Sequence, residues 1–213
     1  MTYLAAVFIL GSAVAILWLA WRVVSRRHAL PCPAWLSWMV DNPLSRRRTN
    51  ATVARLELLP GQNVLDAGCG PGRLTIPIAQ AVAPEGVVYA VDLQPEMLRR
   101  ARTKATQAGV SNVQFLHAGL GDGHLPRSFF DRAVLVTVLG EIPERSSALR
   151  EIYSAIRPEG FLLVSEVMGD PHYQSLRTVE ALAREAGFLP SGTYGNRFAY
   201  SVKLERPRAS GRR

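Results

Sequence analysis

Residues 63–79 read NVLDAGCGPGRLTIPIA, and this stretch organises the rest of the chain. A short apolar run ends at Asp66, three glycines follow at positions 68, 70 and 72, and an apolar-periodic segment comes next. Because glycine adopts positive φ and has no Cβ, this spacing predicts a tight loop whose main chain a ligand can approach closely. The free N–H groups at the start of a following helix suit a carboxylate or a phosphate. The stretch therefore predicts a strand, a ligand-binding loop and a helix.

A second acidic residue follows at an informative distance. The apolar run 87–91 ends at Asp92, about twenty residues beyond the last glycine, where α/β nucleotide-binding folds read a ribose hydroxyl. The dinucleotide fingerprint is G-x-G-x-x-G, whereas the order here is Asp-x-Gly-x-Gly-x-Gly. The glycine spacing therefore separates this loop from those that bind dinucleotides.

That order resembles motif I of the class I S-adenosylmethionine (SAM) dependent methyltransferases. Three later segments resemble the same family in the same order: VYAVDLQPEML at 88–98, DRAVLVTVLGEIP at 131–143 and IRPEGFLLVSE at 156–166. The overall pattern is similar to the ubiquinone/menaquinone and phospholipid methyltransferase group. The resemblance implies a transferase with SAM as its cofactor, bound by Asp66, Gly68, Cys69, Gly70, Gly72, Asp92, Leu93, Gly119 and Asp122.

The stretch after the third strand departs from the family pattern. Many relatives have Gly-Asp there, with the aspartate bonding to the adenine amino group, whereas this chain has Ala118 and Gly119. Asp122 lies three residues later and is the candidate substitute. Backbone groups are the alternative hydrogen-bond partners for that edge of the adenine.

The order of apolar runs predicts an α/β fold. We expect a Rossmann-like, seven-stranded, mostly parallel sheet with helices on both faces and a C-terminal antiparallel strand pair, preceded by one transmembrane helix. The predicted helices are 49–59, 73–82, 95–108, 144–156 and 176–186. The predicted strands are 63–67, 87–91, 113–117, 132–138 and 161–165, followed by 193–194 and 197–204 around a turn at Gly195 and Asn196.

The N-terminal segment has the length of a membrane anchor. Residues 3–21 carry no charged side chain, and roughly 20 residues cross a hydrocarbon core of about 30 Å. A cleaved signal peptide is the alternative, but it requires a basic n-region and a shorter apolar run. Because Arg22, Arg26 and Arg27 all follow the apolar run, the positive-inside rule predicts a single-pass protein with a cytoplasmic catalytic domain.

The following linker contains tryptophans beside arginines. Trp35 and Trp38 precede an arginine cluster at 46–48, which suits a segment lying on anionic lipid, although the tryptophans could equally cap the domain core. The predicted organisation is a transmembrane helix at 1–25, a basic linker at 26–49, a methyltransferase domain at 50–205 and a basic tail at 206–213.

The charge distribution argues against a nucleic-acid enzyme. The chain carries a net charge of +8, with +6 in residues 1–55 and +4 in residues 203–213, whereas residues 56–202 carry −2. A nucleic-acid enzyme would carry its positive charge around the active-site domain. Cys32 and Cys69 form neither a disulfide framework nor a metal pattern, and no metal site is expected.

Methyl transfer needs a general base only when the acceptor is protonated at working pH. Glu141, Glu166 and His172 are the candidates on the expected ligand-binding edge of the sheet. The bilayer anchor favours a lipid or hydrophobic small molecule as the acceptor, since tethering raises the effective concentration of a membrane-soluble substrate. A soluble acceptor such as a thiol or metalloid is an alternative, and a SAM-binding protein without catalysis is another.

Overall fold

The computed structural model describes residues 2–28, 31–33 and 46–208. Trp35 and Trp38 lie outside the described residues, so contact with lipid and capping of the domain core both stay predictions. The helices are α1 Thr2–His28, α2 Arg46–Arg55, α3 Thr75–Val82, α4 Pro95–Gln107, α5 Arg145–Ala155 and α6 Leu176–Ala186, with a 3-10 helix at Leu139–Glu141. The strands are β1 Val64–Ala67, β2 Val88–Asp92, β3 Val113–His117, β4 Phe130–Val136, β5 Ile156–Val167, β6 Leu189–Asn196 and β7 Ala199–Glu205.

The strands form one seven-stranded sheet in the order β3-β2-β1-β4-β5-β7-β6. The first five pair in parallel, and β7 pairs antiparallel with both β5 and β6, which confirms the predicted Rossmann-like architecture. The strand order reverses at β1, which lies between β2 and β4. Open α/β sheets bind ligands outside the carboxyl ends of their strands at such a switch point. We call this side of the sheet the carboxyl edge.

Helices cover both faces of the sheet and bury its apolar side chains. All four residues of β1 are buried, as expected of a central parallel strand. On one face Leu149 and Ile152 of α5 and Val179 of α6 pack in a large cluster; on the other, Ile78 of α3 joins a smaller cluster with Leu163. Fully burying one such aliphatic side chain contributes about 1.5–3 kcal/mol, so the central strands are rigid supports for the loops above them.

The C-terminal hairpin differs from the expected one. The structure places its turn at Arg197 and Phe198 rather than at Gly195 and Asn196, which are the last residues of β6. The Asn196 side chain explains the shift, because its Oδ1 accepts hydrogen bonds from the N–H groups of Phe198 at 2.9 Å and Ala199 at 3.2 Å. An Asn side chain that accepts from the N–H groups of the following residues moves the turn two residues along the chain.

Arg206, the first residue of the expected basic tail, contacts the domain. Its guanidinium Nη1 donates to the carbonyls of Tyr153 at 2.9 Å and Ser154 at 3.1 Å, and its backbone N–H donates to Gly160 at 2.9 Å. A cation at a helix C-terminus satisfies unpaired carbonyls and complements the helix dipole. Arg206 therefore holds the end of α5 against the sheet.

Helix α1 is long, apolar and largely uncovered. Its window Ala5–Val24 is apolar enough to cross a membrane by length and composition, and none of that window is buried by the rest of the protein. The helix packs against the 3-10 helix Leu139–Glu141, and near its C-terminal end Nη1 of Arg22 lies 3.4 Å from the carbonyl oxygen of Met168. The end of the apolar helix thus meets the carboxyl edge of the sheet.

Candidate active site

Glycine is needed at the three positions of the loop after β1 for different structural reasons. All three have positive φ: +73° at Gly68, +53° at Gly70 and +84° at Gly72. A Cβ at Gly68 would lie 2.5 Å from Cγ2 of Val138, and one at Gly72 would lie 3.0 Å from Cβ of Ala101. A Cβ at Gly70 would meet nothing within 4 Å. Two of the glycines are therefore required by packing inside the protein, whereas Gly70 faces open space at the carboxyl edge.

Asp66 supports the loop from below. Its carboxylate is buried, and Oδ2 accepts a 2.6 Å hydrogen bond from the hydroxyl of Thr75, the first residue of α3. Burial raises the pKa of Asp66 to about 6. The pair ties the end of β1 to the start of α3, and sequence reasoning did not identify Thr75 as its partner.

Asp92 braces the loop from the side. Its Oδ2 accepts a hydrogen bond from the Gly70 N–H and its Oδ1 one from the Gln94 N–H, both at 2.8 Å. Burial raises the pKa of Asp92, while these two bonds act in the opposite direction. A carboxylate offers about four acceptor positions, so two remain beyond those used by the backbone. Asp92 therefore fixes the orientation of Gly70 and keeps acceptor capacity for hydroxyl groups.

The other predicted cofactor residues surround this loop. The Cys69 thiol is buried, which raises its pKa, so it behaves as a small packing residue beneath the loop. Leu93 is exposed just beyond Asp92, and its carbonyl lies 2.9 Å from Nε2 of His117 at the end of β3.

Gly119 and Asp122 lie together after β3. A Cβ at Gly119 would lie 2.5 Å from Oδ2 of Asp122, so the Asp122 carboxylate folds back over the glycine. The Asp122 side chain is exposed at this end of the sheet. The geometry keeps Asp122 available as the substitute adenine contact, and that role stays a prediction.

A buried acid–histidine group lies at the carboxyl edge near the ends of β4 and β5. His172 is 3% exposed, and its Nδ1 lies 3.7 Å from Oε1 of Glu141 and 3.8 Å from Oδ1 of Asp170. The Asp170 carboxylate also accepts the backbone N–H of His172 at 2.7 Å. Glu141 and His172, two of the three predicted catalytic residues, are thus brought together. Asp170 was not predicted, although the stretch that contains it follows a strand expected at this edge.

Both glutamates of this region titrate far from the usual range. Burial raises the pKa of Glu141 to about 8, and the nearby Asp170 carboxylate adds to the increase. Burial also raises the pKa of Glu166 to about 8. The hydrogen bond that its Oε2 accepts from the Gln174 N–H at 3.2 Å lowers this pKa, but by less than burial raises it. Within the described residues, Oε1 of Glu166 has no hydrogen-bond partner. Glu166 is thus a separate buried acid behind the His172 loop.

A short N-terminal segment crosses above the site. The backbone N–H of Cys32 lies 3.3 Å from Oε1 of Glu141, and its carbonyl accepts a 2.9 Å hydrogen bond from Nε2 of Gln94. Burial, and then the charge of Glu141, raises the pKa of the Cys32 thiol to about 11, so it is a neutral thiol at physiological pH. Residues 31–33, which we call the strap, therefore connect the loop after β2 with the loop after β4. No local pattern in the sequence signals this contact.

Across the described ranges 2–28, 31–33 and 46–208, no group of three or more His, Cys, Asp or Glu residues is arranged to hold a metal ion.

Comparison with known proteins extends this picture. A family profile described as "Methyltransferase domain" matches residues 58–191, more than half of the chain. A demethylmenaquinone methyltransferase from Listeria monocytogenes serotype 4a is 32% identical over 111 residues, which cover 52% of this chain and 47% of that protein. Another from Geobacillus sp. strain WCH70 is 30% identical over 115 residues, which cover 54% and 49%. The chain spans about half the length of these curated relatives.

Solved structures share the fold. A SAM-dependent methyltransferase from Aquifex aeolicus superposes with a TM-score of 0.74 at 22% identity, covering 82% of this chain and 98% of that one. The magnesium protoporphyrin IX methyltransferase of Synechocystis PCC 6803, solved with bound SAM, has a TM-score of 0.61 at 27% identity and covers 75% and 77%. The open space at Gly70 beside the Asp92 carboxylate fits such a cofactor. The chain therefore belongs to the methyltransferase domain family and has the class I methyltransferase fold.

Proposed function

We propose that this protein is a membrane-tethered methyltransferase that methylates a quinone-like, lipid-soluble acceptor. The proposal rests on the fact that three features lie at the same carboxyl edge. They are the glycine loop, the buried Glu141 and His172 pair, and the end of the apolar helix α1. The names of the two sequence relatives, both demethylmenaquinone methyltransferases, support a quinone-like acceptor.

The proposed cofactor site consists of the loop and its neighbours. When bound, SAM supplies a methyl group on a positively charged sulfur. Gly70 gives room beside the main chain, and the acceptor positions left on Asp92 suit ribose hydroxyls. The full set proposed is Asp66, Gly68, Cys69, Gly70, Gly72, Asp92, Leu93, Gly119 and Asp122.

Glu141 and His172 are the proposed proton acceptors. A hydroquinone ring becomes a stronger nucleophile as its hydroxyl proton is removed, and a newly methylated ring carbon must then lose its own proton. A base works best when its pKa lies near the operating pH, and the pKa of Glu141, raised to about 8, meets that condition. Glu166 is proposed to support this pair by holding the backbone at Gln174.

The membrane tether is part of the same proposal. The apolar window Ala5–Val24 and the arginines that follow it support a single-pass protein with the catalytic domain in the cytoplasm. We assign residues 1–25 to the transmembrane helix, 26–49 to the linker, 50–205 to the methyltransferase domain and 206–213 to the tail.

A partition assay tests the proposal. Membranes containing the full chain would be incubated with SAM labelled on the methyl group and with a prenylated hydroquinone, followed by organic extraction. We expect label in the organic phase with the wild type and, at limiting SAM, at least about tenfold less with Gly70→Ala, the matched control that removes the open space at the loop. A methylated product, distinct from SAM, that is found only in the aqueous phase would overturn the lipid acceptor. Intact cofactor binding without transfer to either phase would overturn catalysis.

A further inference from the structure

The contact between α1 and the domain sets how close the site lies to the bilayer. The guanidinium Nη1 of Arg22 lies 3.4 Å from the carbonyl oxygen of Met168 and 3.5 Å from that of Asp170. Arg22 is part of the apolar window Ala5–Val24, two residues before its end. At a rise of about 1.5 Å per residue, Val24 lies only about 3 Å further along the helix. Met168 and Asp170 are thus at the level where the apolar span ends.

The strap keeps the chain at this same edge. After α1 ends at His28, the next described residues, 31–33, lie across the carboxyl edge, where Cys32 contacts Gln94 and Glu141. The described residues that follow the anchor, 31–33, therefore lie over the site. A domain attached in this way presents its carboxyl edge to the side from which the anchor comes.

The exposed surface of that edge has the chemistry of a membrane interface. Met168, which follows β5, is 37% exposed, and Phe198, in the β6–β7 turn, is 50% exposed. The two are adjacent, since the N–H of Met168 donates to the Phe198 carbonyl at 2.7 Å. The Arg197 guanidinium lies 4.7 Å from the centre of the Phe198 ring. Apolar side chains flanked by arginine suit the boundary between acyl chains and anionic headgroups.

We infer that the carboxyl edge rests on the surface of the anionic bilayer, with Met168 and Phe198 among the headgroups, so that the acceptor enters the active site directly from the membrane. This inference rests on the proposed function through the membrane tether and through the lipid-soluble acceptor. It adds an orientation of the domain. The opposite side of the sheet, at the amino ends of the parallel strands, is called the amino edge. It carries exposed Leu59 and Leu189 and faces water.

A quenching experiment tests the orientation without any methyl transfer. An environment-sensitive fluorophore would be attached at Phe198→Cys or, as the matched control, at Leu59→Cys. Both would be made in a Cys32→Ser background, because the Cys32 contacts with Gln94 and Glu141 use backbone atoms and Cys69 is buried. The full chain would be reconstituted in phosphatidylcholine and phosphatidylglycerol vesicles that contain a lipid with a nitroxide near the headgroup.

We expect quenching at position 198 and little at position 59. Equal quenching at both positions, or stronger quenching at position 59, would overturn the orientation. Because this readout involves no reaction, it decides the orientation even if the wild type methylates none of the acceptors offered.

Two double variants test the entry route. Met168→Ser with Phe198→Ser changes the carboxyl edge, and Leu59→Ser with Leu189→Ser makes the same kind of change at the amino edge, at sites that are at least as exposed. We expect the first to lose about tenfold in transfer to an acceptor held in vesicles, while transfer to a short-chain, water-soluble analogue is unchanged. Equal losses in both variants, or a loss on the soluble analogue alone, would overturn the membrane entry route.

Discussion

Replacing single glycines of the loop after β1 separates packing from cofactor binding. Gly70 and Gly68 both have positive φ, so alanine at either costs about 1–2 kcal/mol in the left-handed conformation. At Gly70 that is the whole cost, because the added methyl group meets nothing within 4 Å. At Gly68 the methyl group also collides with Val138, and overpacking adds about 1–3 kcal/mol.

These magnitudes predict opposite phenotypes. Gly70→Ala loses about 1–2 kcal/mol of the 5–15 kcal/mol typical of a domain and stays folded, but its methyl group occupies the space beside Asp92 where the cofactor would lie. A loss of about 1.4 kcal/mol in ligand contacts through displacement by this methyl group lowers affinity by about tenfold. Gly68→Ala loses about 2–5 kcal/mol of stability.

The assay combines calorimetric titration of S-adenosylhomocysteine with urea unfolding of the full chain in mild detergent. Gly109→Ala is the matched control, because Gly109 has φ +65°, meets nothing within 4 Å and lies beyond the far end of α4 from the site. It should match Gly70→Ala in stability and the wild type in affinity. Wild-type affinity in a folded Gly70→Ala protein would refute the assignment of this space to the cofactor.

Three further predictions concern Asp92, Glu166 and His172. Asp92→Asn turns one acceptor into an amide that faces a backbone N–H, so calorimetry should show S-adenosylhomocysteine affinity about ten- to a hundredfold lower, and unchanged affinity would contradict the role. Glu166 keeps a proton in the folded state between its ordinary pKa and its raised pKa of about 8, so unfolding free energy falls as pH rises through that window, by at most about 1.4 kcal/mol per pH unit. Urea titrations at several pH values should show a shallower fall in Glu166→Gln, with the remaining slope from Glu141 and from Asp66, Asp92 and Asp170, whose pKa values are also raised by burial; identical slopes would count against a protonated Glu166. His172→Gln should slow transfer about 10²–10⁴-fold, with S-adenosylhomocysteine affinity kept within a few fold; a rate near that of the wild type would exclude His172 as a base.

The fold could be predicted because its signals are local. Runs of apolar residues mark the buried strands, and the glycine spacing after Asp66 marks the loop whose positive φ angles the structure confirms. The predicted hairpin turn was wrong because of the local bonds of the Asn196 side chain, whereas the predicted start of β5 was wrong because it depends on a contact with a distant residue. β5 begins at Ile156 rather than 161, because Ile156 pairs with Phe130 of β4 across a register shift.

The contacts within the site were harder to predict. Asp92 was expected at the second strand end, but its bonds to the N–H groups of Gly70 and Gln94 depend on how two loops fold together. The contact between Cys32 and Glu141 joins residues 109 positions apart, and no periodic pattern encodes such a pairing. Glu141 and His172 were both named from the edge they occupy, while their separation of 3.7 Å depends on the packing of two loops.

The bracing of the glycine loop by Asp92 has a consequence for the thermodynamics of cofactor binding. Because its two 2.8 Å hydrogen bonds lie within the protein, the loop has its final conformation before any ligand arrives. Fixing one residue's backbone costs roughly 1–2 kcal/mol, so ordering residues 68–70 only upon binding would oppose association by roughly 3–6 kcal/mol. That conformational entropy is lost at folding instead. A substitution that loosens the loop would therefore weaken cofactor affinity without touching a single ligand contact.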